Sequence, residues 1–234
     1  FWYNQLMVST CRDQAKVGTI SSSAQHYGDW KDAYPFTDSD IQAMLQPDET
    51  GANITHDSIA KGEVTPQQRL LGGMFNLSCF LDLIQNFILF EPVDGRLIKK
   101  VARYQQYRAV NKVIERLKNG TTRKEKSGVV WHTQGSGKSL TMVMLAVKMR
   151  RDPELQKYKL VFVTDRTQLD SQLSTTFRDA QNESVYNAGS VADLKELLAK
   201  DSSDIVTAMV QKFQDAEREG DFTDLNPSDK IIVL

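Results

Sequence analysis

Residues 129–145 read VVWHTQGSGKSLTMVML, and no other stretch restricts the fold of this chain as strongly. A short apolar run with two β-branched residues enters a turn of Gly135, Ser136, Gly137, Lys138 and Ser139. Apolar residues then continue in a helical pattern. A strand that passes through a glycine-rich turn into a helix presents successive backbone N–H groups beside the positive end of the helix dipole. The pattern therefore predicts a strand over 128–131, a phosphate-binding loop, and a helix over 140–149 that stops before Pro153. Gln134, Gly135, Ser136 and Gly137 would line the loop. Lys138 would reach the β- and γ-phosphates of a nucleotide, and the Ser139 hydroxyl would sit on Mg²⁺.

The rest of the chain supplies a context for such a loop. After residue 128 short apolar strands alternate with helices. Strands are expected over 159–164 (KLVFVT), 204–209 (DIVTAM) and 230–234 (KIIVL). Helices are expected over 167–177 and after Ser190, where Asp193 completes a capping box. That alternation predicts an α/β fold with a parallel sheet. Upstream, residues 1–10 and 15–21 suggest two strands, and the polar stretch 34–65 suggests a surface connection with a short helix near 41–45. Residues 66–90 suggest an apolar helix, or two broken near Asn76. Val110, Val113, Ile114 and Leu117 repeat at helical spacing, and Gly120 is placed to end that helix. Residues 121–127 are expected to form a solvated loop.

Charge narrows little globally, since 29 basic residues face 30 acidic ones. Locally, residues 99–126 carry ten basic side chains against Glu115 and Glu125, a pattern expected mainly from a solvated helix and loop. Cys11 and Cys79 have no metal or redox spacing. No apolar run reaches the length of a membrane span, and the opening residues do not resemble a signal peptide, so a cytoplasmic protein is expected. The chain lacks an initial Met and stops on an apolar run. Both features are read as those of a fragment.

Three further stretches bear on chemistry. ARYQQYRAV (102–110) has a glutamine followed three residues later by Ala109 at a helix start, which resembles the Q motif of superfamily 2 helicases. A glutamine amide offers a donor and an acceptor side by side, matching N7 and N6 of adenine. Gln106 would be the reader, with Arg103 and Tyr104 leading in and Gln105 as the neighbouring alternative. VFVTDRTQLDSQL resembles motif Ia of the same superfamily. It would place Asp165, Arg166 and Thr167 at a strand's carboxyl end, against a nucleic-acid backbone. VTAMVQKF resembles the stretch before the acidic motif in one branch of these motors, with Thr207, Gln211 and Lys212 as backbone contacts. Asp13 with Asp29-Trp30-Lys31 has the residue types of a two-carboxylate nuclease, but such short matches are common and Asp29 is expected outside any strand.

His132 stands where the general phosphate-loop pattern asks for glycine, a position that nucleic-acid helicases and translocases relax. Taken together, ARYQQYRAVNK, GVVWHTQGSGKSLTM, VFVTDRTQLDSQL and IVTAMVQKF resemble the R subunit of type I restriction enzymes. Upstream, NQLMVST, KVGTISS, WKDAYPF, LLGGMFN and FLDLIQNFILFE are similar to the region joining that family's nuclease domain to its motor.

The resemblance implies the end of an α/β nuclease domain (1–35), a linker with an apolar helix (36–95) and an incomplete RecA-like ATP-binding lobe (96–234). It implies ATP and Mg²⁺ as cofactors. Double-stranded DNA and the methyltransferase and specificity subunits would be the partners, with no membrane. The acidic residues that complete ATP hydrolysis would follow Leu234, and the nuclease carboxylates would precede Phe1. Turnover is therefore not expected of residues 1–234 alone. Another superfamily 2 helicase or repair motor, or an ATP-binding module without hydrolysis, remains an alternative.

Overall fold

The computed structural model describes residues 4–44, 63–164, 185–218 and 225–234. The chain divides into two compact units, residues 1–131 and 132–234.

The first unit opens with an antiparallel hairpin, β1 (Met7–Cys11) and β2 (Gln14–Gly18). A two-residue strand, β3 (Gly28–Asp29), adds to β2 and places Asp29 opposite Lys16. Asp29 thus lies in a strand, against expectation, because a pairing this short leaves no local periodicity to read. Helix α1 (Asp38–Met44) buries Ile41 against Ala33 and Val64. Helix α2 (Pro66–Arg69) starts on a reciprocal cap between Thr65 and Gln68 and runs into a π-helical turn over Leu70–Met74. A Cβ on Gly73 would lie 2.8 Å from the Ala33 Cα, so the turn can pass this closely only as glycine. The helical stretch breaks where expected. Asn76 caps α3 (Leu77–Asn86) by accepting from the Ser78 N–H.

A second hairpin, β4 (Ile88–Val93) and β5 (Arg96–Val101), replaces part of the expected linker. Asp94 and Gly95 turn it with φ of 49° and 73°. An Asp-Gly pair between apolar runs is a hairpin signal that the reading of this stretch as a linker passes over. Helix α4 (Tyr104–Asn119) buries Val110, Ile114 and Leu117 as the spacing predicts, while Val113 is only half-buried and Tyr107 joins the buried face. Gly120 follows it with an ordinary φ of −71°. Space is the reason for glycine there, since a Cβ would meet the Arg116 carbonyl oxygen at 2.9 Å. The expected loop after it contains one helical turn, α5 (Arg123–Lys126).

The expected strand over 128–131 does not form. No described strand lies beside it to complete a ladder, and Val129 and Trp131 are 94% and 81% exposed.

The second unit is a four-stranded parallel sheet in the order β7-β8-β6-β9: β6 (Lys159–Thr164), β7 (Val185–Asn187), β8 (Ile205–Met209) and β9 (Ile231–Val233). The α/β class and the parallel sheet agree with the sequence reading. Leu160, Val161 and Phe162 of β6 are fully buried, each contributing about 1.5–3 kcal/mol through removal from water. Helix α6 (Lys138–Arg151) is buried on most of its surface, from Thr141 to Arg150. Ser190 and Asp193 cap α7 (Val191–Ala199) reciprocally, as predicted. Helix α8 (Val210–Arg218) begins directly at the end of β8. The helix expected over 167–177 lies outside the described residues.

Candidate nucleotide-binding site

Gly135 and Gly137 adopt φ of 76° and 83°, the left-handed region that L-residues with a Cβ seldom occupy. At Gly135 a Cβ would meet nothing within 4 Å, so backbone conformation, not space, demands the glycine. The loop folds around the Thr133 carbonyl, which accepts from the Ser136 N–H (3.3 Å), the Ser136 hydroxyl (2.7 Å) and the Lys138 ammonium (3.2 Å). Gly137 is the N-cap of α6 and supplies no side chain to its first turn. The first turn of α6 therefore has no capping side chain for its N–H groups, and Lys138 beside it is exposed. Ser139 is also exposed, and its hydroxyl makes no hydrogen bond among the described residues. This donor set fits a nucleotide phosphate with Mg²⁺ on Ser139: one flexible cation, a cradle of N–H groups and an uncommitted hydroxyl.

Helix α6 is held at its other end by a residue that the sequence reading missed. Arg150 is buried and donates to the carbonyls of Gln156 (3.0 Å), Tyr158 (2.8 Å) and Ser203. It ties the helix that carries the loop to the segments entering β6 and β8. An arginine in a last helical turn ordinarily reads as a dipole partner, so sequence alone gave no signal of this role.

In the first unit the two glutamines of the Q-like stretch differ sharply. Gln106 is 3% exposed, and its amide oxygen accepts from the Arg103 N–H at 2.9 Å, capping α4. The Gln105 amide oxygen is buried and has no hydrogen-bond partner among the described residues. Arg103 itself is exposed. Tyr107 packs its ring 4.8 Å from that of Phe87, and burial beside Asp82 and Cys79 pushes its hydroxyl well above the usual tyrosine range. A cleft of about 460 Å³ adjoins the start of α4, lined in part by Lys31, Asp32, Phe36, Arg69, Tyr104 and Arg108. Its charges are largely matched, Arg69 pairing with Asp38 at 2.7 Å and Arg108 with Asp32.

The expected nucleic-acid contacts fare unevenly. Thr207 is a correction: it sits fully buried in the middle of β8, with its hydroxyl accepting from Asn187 at 3.3 Å. A side chain enclosed by neighbouring strands does not reach a phosphate backbone. Lys212 is half-buried in the first turn of α8. Asp165, Arg166 and Thr167 lie outside the described residues. Asp13 occupies the β1–β2 turn, and no group of three metal-binding side chains occurs among the described residues.

A phosphate-type loop at the head of a helix, attached to a parallel sheet, is the architecture of an ATP-driven motor lobe. Residues 105–234 match the SWI2/SNF2 ATPase family, and the chain belongs to it. Over its whole length the chain is 33% identical to the type I restriction enzyme HindI endonuclease subunit of Haemophilus influenzae. It is 29% identical to the putative type I restriction enzyme MjaIXP endonuclease subunit of Methanocaldococcus jannaschii. The matches cover 21% and 22% of those proteins, so the chain spans about a fifth of their length. The resemblance drawn from the motifs agrees with these relatives. Among the described residues no helix is long and apolar enough to cross a membrane.

Proposed function

We propose that this chain is the ATP-binding part of a type I restriction endonuclease subunit. The observation that carries the reading is the left-handed Gly135–Gly137 turn opening an uncapped helix within the SWI2/SNF2 match. Lys138 holds the β- and γ-phosphates, and the N–H groups of residues 135–139 cradle them. Mg²⁺ held with the Ser139 hydroxyl would offset the phosphate charge. Hydrolysis proceeds by in-line attack of water on the γ-phosphate, with Lys138 stabilising charge on the transferring group. Lys212 is proposed as a DNA-backbone contact from the start of α8, and Arg166 and Thr167 as contacts beyond β6. The whole protein uses ATP to move along double-stranded DNA and cuts it, in a complex with methyltransferase and specificity subunits.

The test uses the intact protein. ATP binding is measured by calorimetry, and turnover is measured with and without duplex DNA. The wild type is expected to bind ATP and to hydrolyse it faster with DNA, and Lys138→Ala to lose both. Binding without DNA-stimulated turnover would leave only a nucleotide-sensing module, and no ATP binding would end the reading.

A further inference from the structure

The segment from Lys112 to Lys126 carries six basic side chains against two carboxylates. The structure shows what becomes of each acid. Glu125 turns back on the helix start, where its Oε2 accepts from the Thr121 N–H (2.8 Å), the Thr121 hydroxyl (2.7 Å) and the Thr122 N–H (3.1 Å). Those bonds pull its carboxyl down to about 2. Glu115 accepts from the Tyr34 hydroxyl at 3.4 Å. Neither carboxylate forms an ion pair with Arg116, Arg123, Lys124 or Lys126, and none of these four cations has an acidic partner among the described residues. Arg116, Arg123 and Lys124 are exposed.

The turn is also closely hydrogen-bonded for a surface feature. Helix α5 buries no side chain, so its shape comes from hydrogen bonds alone. The Thr122 hydroxyl accepts from the Glu125 N–H at 3.2 Å. The Ser127 hydroxyl donates to the Arg123 carbonyl at 2.6 Å, and the Gly120 N–H to the Arg116 carbonyl at 3.0 Å. A solvated loop needs no such scaffold. A hydrogen-bonded turn that displays Arg116, Arg123 and Lys124 without acidic partners among the described residues is complementary to a polyanion, and its prior hydrogen bonding lowers the backbone entropy lost on binding one.

We propose that the α4–α5 turn is a sequence-independent contact for the phosphate backbone of duplex DNA, made chiefly by Arg116, Arg123 and Lys124. This surface is additional to Lys212, Arg166 and Thr167. The choice of DNA as the polyanion rests on the proposed function. Phosphate contacts release counterions, so each one steepens the salt dependence of binding by about 0.9 in the log–log slope.

The experiment compares the intact wild-type protein with Arg123→Ala/Lys124→Ala and with Lys157→Ala, an exposed lysine elsewhere. Anisotropy of a labelled random-sequence duplex is followed over a range of salt, and melting temperature controls for folding. The double variant should bind with a slope shallower by about 2 and an affinity tens of fold lower at roughly 0.1 M salt. Lys157→Ala should match wild type, and all three proteins should melt alike. A wild-type slope in the double variant overturns the contact while leaving the functional reading intact. An equal loss of binding to polyglutamate overturns its assignment to DNA. A wild type that binds no duplex overturns both.

Discussion

At the scale of single residues, the two adjacent glutamines separate structure from recognition. Gln106 closes the first turn of α4 through the Arg103 N–H, a bond whose loss costs about 0.5–2 kcal/mol. Gln105 has a buried amide oxygen without a hydrogen-bond partner among the described residues, and such an acceptor suits the exocyclic amine of adenine. Gln106→Ala is therefore expected to lower the denaturation midpoint while preserving the preference for ATP over GTP. Gln105→Ala should do the reverse. Competition binding with the two nucleotides checks this, and loss of preference in Gln106→Ala alone would return the role to Gln106. The sequence singled out the pair but could not divide the work between them, because both residues share one helix turn and only their surroundings differ.

At the scale of elements, ordering of the second unit depends on cations buried against carbonyls. Lys159 opens β6 and is 1% exposed. Its ammonium donates to the carbonyls of Leu197, Lys200 (2.6 Å) and Leu198 (3.4 Å) at the end of α7. Burial pushes this ammonium below the usual lysine range, while the helix's terminal carbonyls favour its charge. Lys159→Met keeps most of the volume but leaves the Leu197 carbonyl without this donor. A loss of about 1–3 kcal/mol is expected in urea denaturation, and an unchanged midpoint would mean that Asn226, which also donates to Leu198 and Lys200, suffices.

The legible elements at this scale had local signals: Ser190 with Asp193 for α7, the apolar face of α4, and the break at Asn76. The hidden ones were of two kinds. Strand β3 is fixed only by its distant partner β2. Helix α5 has no apolar periodicity, and its Thr122-x-x-Glu125 cap was the sole clue.

For the whole molecule, ligand linkage gives the sharpest expectation. At 100 times its dissociation constant, Mg²⁺-ATP should stabilise the protein by about 2.7 kcal/mol. Thermal melts of the intact protein with and without nucleotide read this, and Lys138→Ala should show no shift. An equal shift in that variant would place the nucleotide elsewhere.

By itself the sequence determined the helix-opening Gly-Ser-Gly-Lys-Ser turn, the strand–helix alternation and hence the α/β class. Each is encoded within a few residues, by glycine's tolerance of positive φ and by the period of apolar side chains. Only the tertiary structure decided that Thr207 is enclosed, that residues 128–131 stand exposed and join no strand among the described residues, that Arg150 clamps α6, and that Arg116, Arg123 and Lys124 have no acidic partner among the described residues. These depend on which distant segment lies alongside. Burial and ion pairing are properties of neighbours in space, which a single chain's local pattern does not specify.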